Sequence, residues 1–250
     1  MNDISIFCAG STQALHYACD ILSAKGLNVV YEPCNAARYM LLDIPSLGLE
    51  DKLRSGRDLS ELLRSISDDT VVIGGGLEHP LLEGYTKYDL LKTEGYLKEN
   101  ARITAYCALH IIGDALPVTL EDCPVLVIGW GRIGKMLTSL LVRVGANVTV
   151  ATRDIRCVAS LAKLGIGAVL TDNVTTDRSR LIVNTAPVQI LSDEAVNACR
   201  SAVKIDLASV KGLPGDDVIW AKGLPDRCAP ESSGKLIARY VLDYLKENDP

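Results

Sequence analysis

Gly129-Trp130-Gly131-Arg132-Ile133-Gly134 is a G-x-G-x-x-G run placed directly after the apolar segment Pro124-Val125-Leu126-Val127-Ile128 and directly before a segment of helical period. In that strand-turn-helix setting the glycines divide the work of holding a dinucleotide. Gly129 permits the tight turn, Gly131 lets the backbone approach a pyrophosphate, and Gly134 lets helix and strand pack closely, with the phosphates at the helix N-terminus. Trp130, Arg132 and Ile133 complete the loop, and Arg132 is placed to stack near an adenine or to pair with a phosphate.

The next strand, expected at 147–151, ends in Ala151-Thr152-Arg153-Asp154. At this point of a dinucleotide fold a carboxylate accepts hydrogen bonds from the adenosine ribose, whereas a cation pairs with a 2′-phosphate. Arg153 and the hydroxyl of Thr152 suit the phosphate, so the reading is NADP(H), with NAD(H) kept as the alternative. Asp154 argues for NAD(H) unless it serves as the N-cap of a helix from residue 155 onward.

Two further turns follow expected strands and so fall on the same sheet edge. In Asn184-Thr185-Ala186-Pro187 the backbone can pass over the nicotinamide ribose, and in Asp206-Leu207-Ala208-Ser209 the side chains of Asp206 and Ser209 can position ribose hydroxyls or substrate. Three residues are candidates for the substrate side. Lys211 follows the Asp206 turn and can hold a carboxylate or polarise a carbonyl. Ser232, with Ser233 and Gly234, stands at the expected start of the last helix, a setting that suits an anion or ordinary capping. His79, in Leu77-Glu78-His79-Pro80, follows a glycine turn at the end of a strand and is an acid or base candidate. His110 lies in an apolar helical stretch and reads as a packing residue.

The elements that must carry these residues form two series of short Val- and Ile-rich runs alternating with helical segments. That alternation predicts α/β architecture: two domains, each a mostly parallel sheet with flanking helices, the second a Rossmann dinucleotide-binding domain. In the first series strands are expected at 4–7, 28–31, 41–44 and 70–73, with helices at 11–25 and from Asp58 to Ile66. In the second they are expected at 124–128, 147–151, 181–184 and 203–207, with helices at 132–144 and near 154–164. The domains are read as 1–87, a helical connector over 88–113 with an interruption near Gly95, the Rossmann domain over 114–230, and a closing helix over 231–250. Leu236, Ile237, Tyr240, Val241, Tyr244 and Leu245 give that helix one apolar face, expected to pack back across the domain interface.

Composition excludes several classes. The 250 residues carry 26 Lys and Arg against 31 Asp and Glu, a net charge of −5, with 48% hydrophobic residues. These values suit a globular chain and disfavour disorder and polybasic nucleic-acid arms. No apolar stretch reaches the roughly 18 to 20 residues of a membrane span. The start Met1-Asn2-Asp3 lacks a signal-peptide pattern, so the expected location is the cytoplasm, where the 8 cysteines stay thiols. They form no C-x-x-C pair and no cluster with histidine, and no metal site is expected.

With these motifs in hand, the sequence resembles the A-subunit family of dipicolinate synthase, related to the D-isomer-specific 2-hydroxyacid dehydrogenases. The resemblance covers roughly residues 86–245. It rests on Gly129 to Gly134, Gly145-Ala146-Asn147-Val148 leading to Thr152-Arg153, Asn184 to Pro187, Asp206 to Ser209, and Gly223-Leu224-Pro225 followed by Ala229-Pro230. It implies nicotinamide-dependent oxidation of the cyclic imine dicarboxylate made by dihydrodipicolinate synthase to dipicolinate, in spore formation, with a small flavoprotein-like B-subunit. The chain departs from the family pattern where T-A-E-G becomes Thr104-Ala105-Tyr106-Cys107, where a P-G-G-like run becomes Val210-Lys211-Gly212, and where a lysine becomes Glu231. Two other readings stay open: a 2-hydroxyacid-dehydrogenase-like enzyme for another small carboxylate, and a nucleotide-binding protein without catalysis. A homo-oligomer is compatible with each.

Overall fold

The computed structural model describes residues 4–48, 52–176 and 178–248. They fall into two compact units, one of residues 1–100 together with 225–250, the other of residues 101–224.

In the first unit the strands β1 (Ser5–Cys8), β2 (Asn28–Val30), β3 (Tyr39–Leu41), β4 (Val71–Gly74) and β5 (Lys87–Asp89) form a sheet of order β2-β1-β3-β4-β5. All four pairings are parallel. Helix α1 (Gln13–Ala24) starts at the N-cap Thr12, whose side chain accepts the N–H of Leu15, and it buries Ala14, Leu15, Ala18, Cys19 and Leu22. The short α2 (Leu59–Leu63) is capped by Asp58. One face of the sheet is covered by a core that includes Phe7, Met40, Leu42, Leu59, Leu62, Val72 and Leu82.

Helix α3 (Glu94–Ala115) runs through the boundary between the units. It starts later than the connector expected from residue 88, because residues 87–89 pair with β4 as an edge strand. The Asp89 carboxylate then holds the turn by accepting the N–H groups of Gly76, Leu77 and Leu91, each at 2.9 Å. Nor is the helix interrupted at Gly95. A side chain there would run into the hydroxyl of Tyr240, so the glycine makes room for the closing helix.

The second unit holds β6 (Pro124–Ile128), α4 (Arg132–Arg143), β7 (Asn147–Thr152), α5 (Ile155–Lys163), β8 (Gly167–Leu170), β9 (Leu181–Asn184), α6 (Asp193–Asn197), β10 (Val203–Asp206) and β11 (Ile219–Trp220). Its sheet has the order β11-β10-β9-β6-β7-β8, again all parallel. The chain starts at β6 in the middle of the sheet, goes outward through β7 and β8, then crosses to β9 on the other side of β6. The loops after β6 and β9 therefore diverge at a topological switch point, the place where open α/β sheets bind ligands.

The short α7 (Leu224–Cys228) leads into α8 (Pro230–Asn248), which returns to the first unit and lies along α1. Contact is close. A Cβ on Gly234 would stand 2.5 Å from Cβ of Tyr17 and 2.6 Å from the carbonyl oxygen of Ala14. Tyr244 stacks on Tyr88 with ring centroids 4.4 Å apart. Residues 249 and 250 of the expected closing helix lie outside the described residues. All eight cysteines are free thiols. Among the described residues no helix is long and apolar enough to cross a membrane.

Candidate functional site

Sheet register explains why the segments singled out in the sequence meet. Ala151, Ile128, Asn184 and Asp206 are successive register partners, so β7, β6, β9 and β10 all end in one row at the carboxyl edge. The glycine loop, the Thr152-Arg153 turn, the Asn184 turn and the Asp206 turn leave the sheet side by side from that row.

Gly129 takes a φ of +102°, a conformation that side-chained residues rarely adopt. Its N–H donates to the carbonyl of Ala151 at 2.9 Å, which ties the loop to the end of β7. A side chain on Gly134 would strike the carbonyl of Gly129, so α4 can approach β6 only with glycine at this place. Gly131 differs from both. It is the N-cap of α4 with φ −79°, gives no side-chain cap, and a Cβ built on it meets no protein atom within 4 Å. No protein atom stands where a side chain on it would go, so packing does not ask for a glycine there. Trp130 is half-buried, with the Lys135 ammonium 5.9 Å from its ring centroid, Ile133 is half-buried, and Arg132 is exposed.

In the Asn184 turn, the buried Asn184 amide accepts the N–H of Ala186 at 3.1 Å and donates to the Ala186 carbonyl at 2.8 Å and to Asp206 Oδ2 at 3.1 Å. The Thr185 hydroxyl donates to the carbonyl of Ile128 at 2.9 Å, joining this turn to the glycine loop. Pro187 is exposed beyond it.

Asp206 does something other than reach for a ribose. It is fully buried, and its carboxylate accepts the N–H of Ala208 at 2.9 Å and those of Gly212 and Leu213 at 2.7 Å each. With every partner taken from its own loop and Asn184, Asp206 positions the loop instead of contacting a ligand. Gly212, which belongs to none of the binding motifs, sits where that loop crosses the Asn184 turn. A Cβ on it would come within 2.8 Å of the Asn184 amide and of the carbonyls of Ala186 and Val188. The far end of the loop is held by Lys204, a lysine buried in the apolar run of β10, whose Nζ lies 2.6 Å from Asp217. That hydrogen bond holds the Asp217 carboxyl below the usual carboxylate range. A lysine between valine and isoleucine was the available signal. Ser209 and Lys211 are exposed on this loop, and Lys211 Nζ donates to the carbonyl of Gly215 at 2.9 Å.

At the end of β7 the residues separate by exposure. Thr152 is buried, and its hydroxyl accepts the N–H of Asp154 at 3.3 Å. Arg153 is exposed, and among the described residues it forms no ion pair. Asp154 is the N-cap of α5, accepting the N–H of Arg156 at 2.9 Å. The Arg156 side chain hydrogen-bonds the same carboxylate and holds its pKa below the usual range.

The substrate-side candidates fall in different units: Lys211 in the second, His79 and Ser232 in the first. His79 precedes a 3₁₀ turn at Pro80–Leu82, and its Nδ1 accepts the N–H of Leu81 at 3.2 Å, a capping role. Ser232 is not the cap of the closing helix, because α8 already begins at Pro230; it is an exposed residue of the first turn. Proline at a first helical position was the signal for that start. Of the departures from the family pattern, Tyr106 is exposed on α3, Cys107 is buried on its other side, and Glu231 pairs with Lys235 one turn along at 2.5 Å.

The first unit has a switch point of its own, between β1 and β3, and there the chain supplies its own anion. The buried Asp43 carboxylate accepts the N–H groups of Ser11 and Thr12, each at 3.0 Å, and the Thr12 hydroxyl at 2.7 Å. The loop over α4 is thus the open one of the two.

No protein-family model matches the chain. A curated relative, the dipicolinate synthase A-subunit of Bacillus subtilis (strain 168), is 28% identical over 140 residues, which are 52% of this chain and 47% of that protein. The match therefore spans about half the length of the curated relative. The solved structure of the dipicolinate synthase A-subunit from Bacillus halodurans superposes with a TM-score of 0.83 at 18% identity, covering 98% of both chains. A transhydrogenase from Sinorhizobium meliloti gives 0.69 at 14% identity, covering 98% of this chain and 94% of that one. By sequence about half of the chain is similar to the dipicolinate synthase A-subunit, and by fold the whole of it is similar to that protein's solved structures.

Proposed function

We propose that the protein is an NADP-dependent oxidoreductase that oxidises a cyclic imine dicarboxylate to dipicolinate, as its relative's name suggests. The observation that carries the cofactor half is the space above Gly131: a glycine without protein neighbours at the N-terminus of a long helix, beside a topological switch point. The sequence similarity to the dipicolinate synthase A-subunit supports the substrate half.

A nicotinamide held there would supply a hydride acceptor, and the ring that becomes aromatic would give up one proton besides. The chain's own residues bind and orient. The loop from Gly129 to Gly134 takes the pyrophosphate on backbone N–H groups. Arg153 pairs with the 2′-phosphate. Asn184 to Pro187 lay backbone beside the nicotinamide ribose, and the buried Asp206 holds the loop that presents Ser209 and Lys211. Lys211, exposed on that loop, is proposed to meet a substrate carboxylate. The proposed location is the cytoplasm, and the proposed partner is a flavoprotein-like B-subunit.

The deciding experiment makes the cyclic imine from pyruvate and aspartate semialdehyde with dihydrodipicolinate synthase, then adds this protein, NADP and a candidate B-subunit. Dipicolinate and NADPH should appear together. NADPH binding without turnover would instead favour a nucleotide-binding protein that lacks catalysis.

A further inference from the structure

We propose that Arg156 is a specificity residue for the cofactor: by occupying both oxygens of Asp154 it withdraws the one carboxylate at the end of β7 that would select an unphosphorylated ribose. This rests on the nucleotide reading above and goes further, naming the residue that enforces the choice.

The geometry is a fork. Asp154 Oδ1 accepts the backbone N–H of Arg156 at 2.9 Å and its Nε at 3.0 Å, while Oδ2 accepts Nη2 at 2.8 Å and Nε at 3.2 Å. A ribose diol binds a carboxylate by donating hydrogen bonds to it, so it needs an acceptor oxygen whose lone pairs are not already committed. Here three N–H groups cover the two oxygens, with Nε shared between them. The planar guanidinium makes this possible, because only arginine presents parallel N–H groups that match a carboxylate.

Charge works in the same direction. Arg153 and Arg156 against Asp154 leave the strand end with one positive charge in excess, which favours the 2′-phosphate. Without Arg156, Asp154 would cancel Arg153, repel the phosphate and accept the diol. The helix start sets the spacing, since Asp154 as N-cap brings the second helical residue back over its own carboxylate. The Arg156 side chain is 88% exposed, so the pair contributes little to folding, and its removal reports on cofactor choice with the fold intact.

The test measures Kd for NADPH and NADH by titration calorimetry on the full chain, for the unaltered protein and for Arg156→Ala, Arg156→Ala with Asp154→Asn, and Asp154→Asn alone. Arg156→Ala should lower the preference for NADPH roughly tenfold, the size of one charge-assisted contact. Adding Asp154→Asn should restore most of that preference, a recovery that general loosening of α5 would not give. Asp154→Asn alone should leave NADH binding unweakened, and it answers the question even if Arg156→Ala does not fold. An unchanged preference in Arg156→Ala, or a tenfold loss of NADH in Asp154→Asn, overturns the proposal while the nucleotide reading stands. Failure of the unaltered protein to bind either nucleotide overturns both.

Discussion

The N–H of Gly212 points at Oδ2 of Asp206 from 2.7 Å, six residues away along the chain and inside the fold. Leu213 shares the same oxygen at 2.7 Å, and Ala208 takes the other at 2.9 Å. One carboxylate thus gathers the loop that leaves β10, and the expectation that it would serve a ligand gives way to a role in positioning. Asp206→Ala leaves those N–H groups without an acceptor. It should lower stability by about 3 kcal/mol in urea denaturation and weaken nucleotide binding; an unchanged midpoint would show that the loop holds itself.

Gly131 and Gly134 should respond oppositely to a side chain. A Cβ on Gly131 meets open space, so Gly131→Val should lower stability by only about 1 kcal/mol, the effect of a poorer N-cap, yet weaken both NADPH and NADH at least tenfold by crowding the pyrophosphate. Gly134→Ala pushes against the backbone of Gly129 and should lower stability by about 2 to 4 kcal/mol. Thermal melts and binding titrations on the two variants separate a ligand contact from a packing contact, and equal stability losses would contradict the assignment of Gly131.

Arg153→Ala removes the exposed cation at the end of β7. NADPH should bind about ten- to a hundredfold more weakly while NADH changes little, as expected for one charge-assisted phosphate contact. Equal losses for the two nucleotides would remove Arg153 from the 2′-phosphate site.

Gly234→Val tests the seam between α8 and α1. The new side chain would need space already held by Tyr17 and the backbone of Ala14 and Ala18. A loss of about 2 to 3 kcal/mol is expected, and a neutral result would mean that the helices can part without consequence.

Alkaline pH should destabilise the protein through Tyr96. Burial pushes this phenol well above its ordinary pKa. A group whose pKa is raised in the fold keeps its proton there while the unfolded chain loses it, so stability is level below the ordinary tyrosine pKa of about 10 and falls as pH rises beyond it. Tyr96→Phe should flatten that fall in Tm measured from pH 9 to 11, and an unaltered slope would assign it to other groups.

What was legible along the chain follows from locality. The strands at 124–128, 147–152 and 181–184 are rich in valine, isoleucine and leucine, and the glycine motif between the first of them and α4 states its own context. Three of the four edge strands escaped: β5, β8 and β11 are short, partly exposed, and defined only by the neighbour they pair with. Polar side chains escaped for a similar reason. Nothing local distinguishes an aspartate that binds a ribose from one that gathers a loop: the N-cap role of Asp154 could be read from the helix that follows it, whereas Asp206 is held by N–H groups of Gly212 and Leu213 that a linear reading does not bring near. The third strand, expected at 41–44, is 39–41 because Asp43 leaves the sheet to meet the loop after β1.

The first unit is made of both ends of the described chain, with the second unit set between them in sequence. During synthesis α1 emerges early, while α8, which covers it, follows roughly 200 residues later, a delay of about 10 to 40 seconds at ordinary elongation rates. The second unit is complete before the first can close. In that interval the face of α1 that will receive Gly234 is bare, and it is the surface a chaperone would have to guard. A chain cut after residue 224 would carry the whole of the second unit attached to an unfinished first one.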